Sequence, residues 1–193
     1  TTNLAVSAAG DGRHVRFSAT VMDAAGLIPN AGLKRQTFNL SGGMDLGEAL
    51  NITGAGTYTK SEGANRPRFR GYPESMSIIM SYWQRQTDYD RLRSTYEIWK
   101  ETGATPRSGH PENRVPNWNH NYFDSPYYTL SERTTNDTRD RFIGFVKGEY
   151  QVNEWLSAMG RAGTDWSAHR RFEQYPAHSL MHPDGEFTNN KIY

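Results

Sequence analysis

The stretch from Thr138 to Trp166, TRDRFIGFVKGEYQVNEWLSAMGRAGTDW, alternates in polarity through two runs of about a dozen residues with almost nothing between them. A period of two places successive side chains on opposite faces of an extended chain, so the stretch predicts a β-hairpin whose faces meet different surroundings. In the first run Phe142, Gly144, Val146, Gly148 and Tyr150 share one face. Arg139, Arg141, Lys147 and Glu149 share the other, which Ile143 and Phe145 blur. After the turn, Leu156, Ala158, Gly160, Ala162 and Trp166 stand against Ser157, Arg161 and Asp165.

The same period recurs upstream. Val15, Phe17, Ala19 and Val21 oppose His14, Arg16, Ser18 and Thr20, and Leu50, Ile52, Gly54, Gly56 and Tyr58 oppose Asn51, Thr53 and Thr57. Weaker alternation marks Asn3 to Ala9 and Leu33 to Gly42. The expected strands therefore lie near 3–9, 13–23, 33–42, 49–59, 138–150 and 155–167. Their connections alternate in length. GDGR, GMDLGE and QVNE are short, the first with glycines suited to positive φ, whereas AAGLIPNAG, the region 60–137 and the chain from about Ala168 are longer. Short turns at one end and long loops at the other are the habit of outer-membrane barrels, and runs of about 9–13 residues match the ~9–11 a tilted strand needs to cross a bilayer. Tyr58, Tyr150, Trp155 and Trp166 fall near the expected strand ends, where an interfacial girdle belongs.

Composition narrows the choice. Hydrophobic residues are 35% of 193, yet aromatics reach 12%, with 11 Tyr and 5 Trp. Such a chain has little to fill a dry core and too many rings for a disordered tail. That leaves an all-β protein with thin sheets, or one whose apolar faces meet something outside its own core. A net charge of +1 gives no global field for nucleic acid, and the absence of cysteine excludes disulfide scaffolds and thiolate metal sites. No apolar run approaches the ~20 residues of a membrane helix, and TTNLAVSAAGDG has no signal-peptide character, so the expectation is a chain without its own export signal, either cytoplasmic or a mature or partial piece.

The region 60–137 is different in kind. Met76, Ile79, Met80 and Trp83, then Leu92, Tyr96 and Trp99, recur at spacings of three and four and predict one or two amphipathic helices. TGATPRSGHPENRVPNWNHNYFDSPYY, rich in Pro, Gly, Asn and aromatics, reads as an ordered, irregular loop. A connection this long is a functional or partner-contacting segment more often than a passive one.

Four stretches carry a family likeness. ATVMDAAGLIPNAGLKRQTFNLSGGMDL, with Gly26, Asn30, Gly32, Lys34 and Arg35, joins NLAVSAAGDGRHVRFSAT before it, SPYYTLSERTTNDTRDRFIGFVKGEYQVNEWLSAMGRAGTDW after it, and DGEFTNNKIY at the end. Together they resemble the SusC-like (RagA-like) TonB-dependent outer-membrane transporters across most of the chain, the exception being about 66–121. The resemblance implies an antiparallel up-and-down transmembrane barrel of 22 strands with an internal plug; the chain departs from it in having only about six or seven of the strands, with a long, partly helical extracellular loop, and no plug domain. It implies import of glycans or peptides across the outer membrane of a Gram-negative bacterium. The partners it implies are the rest of the barrel and its plug, a SusD-like surface lipoprotein as lid, TonB acting through a part not present here, and the lipid bilayer. Neither the charge balance nor any motif points to enzyme activity, a cofactor or nucleic acid, so none is expected. Fewer than eight strands cannot close in lipid without unpaired edges, so an open, curved sheet with two unpartnered edge strands is expected, a middle piece of a larger barrel.

On that reading lipid meets Val15, Phe17, Ala19, Val21, Leu50, Ile52, Phe142, Val146, Leu156 and Ala162. Water or the plug meets Arg16, Ser18, Thr53, Thr57, Arg141, Lys147, Glu149, Arg161 and Asp165. Arg141 and Arg161 on the lumen face, and the loop aromatics Trp83, Trp99 and Trp118, are the candidate substrate contacts. Catalytic and metal-binding residues are not expected: His178 and His182 have i,i+4 spacing but lack a zincin glutamate, Asp124, Glu132, Asp137 and Asp140 lack EF-hand spacing, and SGGMDLGEA lacks the Lys-Ser or Lys-Thr of a phosphate loop. The alternative is a secreted carbohydrate-binding β-sandwich, with Trp83, Trp99, Trp118, Tyr127 and Tyr128 stacking on sugars. A glycan-active enzyme using Glu132 and Asp137 is a third possibility. The direction in which Val15, Phe17, Phe142 and Leu156 point separates these classes.

Overall fold

The computed structural model describes residues 1–65, 76–103, 122–177, 179, 182 and 184–192. Chain order is β1 (Thr2–Gly10), β2 (Arg13–Ala25), β3 (Gly32–Leu46), β4 (Leu50–Ala64), α1 (Met76–Ser81), α2 (Tyr89–Thr102), α3 (Pro126–Glu132), β5 (Thr134–Asn153), β6 (Leu156–Tyr175) and β7 (Glu186–Ile192). The seven strands form one antiparallel, up-and-down sheet in sequence order, so β1 and β7 are edges and the sheet is not closed into a barrel.

Local chemistry sets the turns. Residues 11–12 join β1 to β2 with Asp11 at φ 48° and Gly12 at φ 69°, the doubly positive geometry that matches the twist of flanking strands. Residues 47–49 join β3 to β4, and 154–155 join β5 to β6 just after a bulge between Gln151 and Asn153. The connections at the opposite end, 26–31, 65–133 and 176–185, are all longer.

The strands run well past the alternating segments. β5 and β6 each have 20 residues. Tyr58 and Trp166 therefore lie inside strands rather than at their ends. The extra residues of β6, from Ser167 to Tyr175, have no clean hydrophobic period, but pairing with β5 on one side and β7 on the other satisfies their backbone.

The periodic segment after residue 75 forms α1 and α2, separated at 82–88. Asp88 caps α2 by accepting the Arg91 amide at 3.0 Å, and Gly103, at φ 65°, ends it by donating its N–H to the Trp99 carbonyl at 2.7 Å. α3 falls in a stretch expected to be irregular. It starts at a Ser-Pro pair, with Pro126 in the first turn where the missing N–H costs nothing. Trp118 and the rest of 104–121 lie outside the described residues.

Among the described residues most buried apolar side chains sit in the helical region between β4 and β5, with Tyr175 at the end of β6 as the exception. Met76, Ile79 and Phe123 form one cluster, and Tyr96 and Tyr128 form another with Trp99 and Tyr127 against them. Among the described residues nothing covers the sheet's apolar face: Val146 is 60% exposed, Leu40 57% and Val15 49%.

Candidate functional site

The pairing register turns the alternation into rows that cross the sheet. Leu4, Ala19, Phe38, Tyr58, Phe142 and Trp166 are successive partners from β1 to β6, so an aromatic row runs across β3 to β6. Next on the same face come Val6, Phe17, Leu40, Gly56, Gly144 and Thr164, then Ala8, Val15, Gly42, Gly54, Val146 and Ala162. The belt ends toward the short turns at Leu46, Leu50, Tyr150 and Ala158. The apolar residues named from sequence in β2, β4, β5 and β6 thus share one face. Beyond the aromatic row the face turns polar on β3 to β5, with Gln36, Lys60 and Asp140, while Val21 on β2 and Ala168 on β6 flank them in the same row. Tyr58 donates its hydroxyl to Asp140 Oδ1 at 2.5 Å, turning its polar tip toward that end.

The opposite face is hydrogen-bonded among itself. Thr57 donates to Asn39 Oδ1 at 2.7 Å, and Asn39 Nδ2 donates to Ser18 Oγ at 3.2 Å, which links three neighbouring strands. Arg141 forms a bidentate pair with Asp165, Nε to Oδ1 at 3.0 Å and a second guanidinium N–H to Oδ2 at 2.7 Å. Lys147 donates to Glu149 at 2.9 Å. Ile143 and Phe145, which interrupt the polar pattern, do face this side, and Arg161 lies 4.1 Å over the Phe145 ring. That cation–π contact lets an aromatic sit on a wet surface. Arg141 and Arg161 are thus on one face, each with a partner its sequence neighbours do not reveal.

The loop aromatics have packing neighbours. Trp83 stacks on Tyr89 at 4.7 Å between ring centroids, and Trp99 meets Tyr128 edge-on at 5.3 Å. Tyr128 in turn donates to the carbonyls of Pro176 and Ala177 at 3.1 and 2.7 Å, fastening α3 to the end of β6. Burial pushes the Tyr128 phenol well above its ordinary range, with Asp124 and Glu132 adding to the effect. Tyr96 donates to Glu132, and Lys100 lies 3.3 Å from the same carboxylate. The hydrogen bond to Tyr96, then Glu132, raises the Lys100 ammonium above its usual value.

Asn65, at φ 46°, ties the loop bases together. Its amide donates to the Asn30 carbonyl at 3.1 Å and its side-chain oxygen accepts the Thr135 N–H at 3.4 Å. Asn30, itself at φ 64°, donates to the Leu130 carbonyl at 3.3 Å. No period or motif read from the sequence marks this junction, because its partners are 35 and 100 residues apart.

The carboxylates considered for catalysis have other contacts: Glu132 binds Tyr96 and Lys100, and Asp137 lies 3.8 Å from His169. His182 pairs with Glu186 at 2.6 Å, and His178 lies outside the described residues. Among the described residues no group of three or more His, Asp or Glu could hold a metal ion. No helix there is long and apolar enough to cross a membrane.

No protein-family model matches the chain, and no curated protein matches it significantly.

Proposed function

We propose that this chain is a section of the wall of a TonB-dependent outer-membrane transporter of the SusC-like type. One observation carries the reading: seven paired strands hold a bare apolar belt, edged by the aromatic row Phe38, Tyr58, Phe142 and Trp166, back to back with a hydrogen-bonded polar face. From Leu50 to Tyr58 the belt covers about 27 Å of strand, or about 20 Å of height at a ~40° tilt, against a ~25 Å apolar band in barrels of this kind. The grouping of short turns at one end supports the same orientation, with the helices and long loops outside.

The edges fit a piece of a larger barrel, because backbone groups left unpaired in lipid cost several kcal/mol each. On this reading further strands of a 22-stranded barrel flank β1 and β7. A plug, a SusD-like lipoprotein and TonB complete the machine, and the cargo is a glycan or peptide. A carbohydrate-binding sandwich would need a second layer over Val15, Phe17 and Val146, and these remain open to solvent among the described residues.

The chain has no cysteine, so single cysteines can be introduced without background. Placed in turn at Phe142, Ile143, Gly144, Phe145, Val146 and Lys147 of the intact protein in membranes, they are expected to react with a bulky, charged maleimide only at 143, 145 and 147. Equal labelling of both sets, or a protein that stays monomeric in solution without detergent, would reject the membrane reading.

A further inference from the structure

Past the aromatic row, on the belt side, one register row runs Asp23, Lys34, Glu62, Thr138, Arg170 and Lys191 across β2 to β7. Most charges at this level are compensated. Lys34 lies 4.0 Å from Asp23, Lys60 lies 2.8 Å from Glu62, and Asp140 accepts the Tyr58 hydroxyl.

Arg170 and Lys191 break that rule. They are directly opposite each other on β6 and β7, both are exposed, and neither forms an ion pair among the described residues. Like charges so placed repel and destabilise a sheet. Their neighbours on this face are Ala168, Phe172, Asn189 and Thr138, with Asp140 diagonal to Arg170 but already engaged by Tyr58. Arg170 is four residues past Trp166, which is about 13 Å of strand and about 10 Å of height at a ~40° tilt. That is the depth of lipid headgroups beside the hydrocarbon core, on the side of the long loops.

Resting on the barrel-wall reading, we propose that Arg170 and Lys191 clamp the phosphate of an outer-leaflet glycolipid of the lipid A class. Guanidinium and ammonium together supply charge-assisted donors to a phosphate, and the phosphate removes their mutual repulsion. The exposed Phe187 is on the same face of β7 but four residues farther toward the long loops, opposite Gln174, so it lies outside the clamp.

The test uses the intact protein in detergent, offered either bis-phosphorylated lipid A or the same lipid after phosphatase treatment, with bound lipid counted by native mass spectrometry. About tenfold greater retention of the phosphorylated form is expected, the size of one good charge-assisted contact. An Arg170→Gln, Lys191→Gln double variant should fall to the dephosphorylated level, while Lys34→Gln, Lys60→Gln should not. Heat-dependent gel mobility reports whether each variant is folded, and the comparison of the two lipids on the unaltered protein needs no variant. Equal retention of both lipids by a protein that requires detergent overturns the clamp alone. Displacement of lipid A by millimolar inorganic phosphate also overturns it, because the ligand then comes from solution. Solubility without detergent overturns the barrel reading and the clamp with it.

Discussion

The ring of Phe142 lies over Gly56 on the neighbouring strand, where an added Cβ would stand 3.2 Å from it. The same ring would meet a Cβ on Gly144 at 3.0 Å, with the Ala55 carbonyl oxygen at 3.1 Å on another side. A backbone oxygen cannot step aside as a ring can. Gly144→Ala is therefore expected to cost about 1–2 kcal/mol through overpacking. Gly148 has nothing within 4 Å of such an atom, and Gly148→Ala should be neutral or stabilising by about 0.5 kcal/mol. Urea unfolding of the two variants compares them, and equal effects would contradict the ring contact.

The Arg141–Asp165 pair joins two side chains that are each roughly half exposed, at 43% and 54%. Exposed pairs contribute little, so Asp165→Asn should leave the unfolding midpoint almost unchanged. Asp165→Arg sets two like charges across the ladder and should lower it. That loss should fade by about 1 M NaCl, where the screening length is ~3 Å. A loss that persists at high salt would point to broken packing instead.

Asn65 occupies a left-handed conformation while its side chain bonds Asn30 and Thr135. Asn65→Ala adds backbone strain and removes both bonds, an expected cost of about 1–3 kcal/mol at the loop junction. Asn65→Gly relieves the strain alone and should fall between. Hydrogen exchange at the Thr135 amide is the direct readout, with unchanged protection in Asn65→Ala as the contrary result.

Tyr128 is held neutral by burial, with its pKa raised in the fold above the ordinary 10.0. Its contribution is intact below the pH at which a free phenol ionises and is lost as pH rises through the folded pKa. The contact of α3 with 176–177 should therefore loosen in strong alkali while the sheet persists. Trp99, packed against Tyr128, provides a fluorescence signal for the change, which Tyr128→Phe should abolish. Simultaneous loss of the sheet's circular dichroism would count against a local event.

Phe142, Val146, Lys147 and Arg161 could be assigned to faces from sequence because one strand's period decides each of them. Arg141's partner could not, since Asp165 is 24 residues away and only the register of β5 on β6 brings them together. The extension of β6 past Trp166 was hidden for a related reason: His169, Arg170 and Arg171 are polar on both faces, and their strand state comes from flanking strands. α2 announced itself through Leu92, Tyr96 and Trp99, whereas α3, with 7 residues, is too short to show a period. Trp83 and Trp99 looked available for a ligand because sequence shows aromatic content but not the rings already stacked on it.

The connection 65–133 has a consequence for how the sheet assembles. β1 to β4 follow one another through short or modest connections, as do β5 to β7, but the β4–β5 seam must wait for the ends of the longest connection to meet. Each doubling of a flexible loop adds only about 0.6 kcal/mol to closing it. The seam joins two halves whose strands are otherwise neighbours in sequence, and the connection 65–133 that bridges it can lengthen at small cost in chain entropy while the β4–β5 pairing below it stays the same.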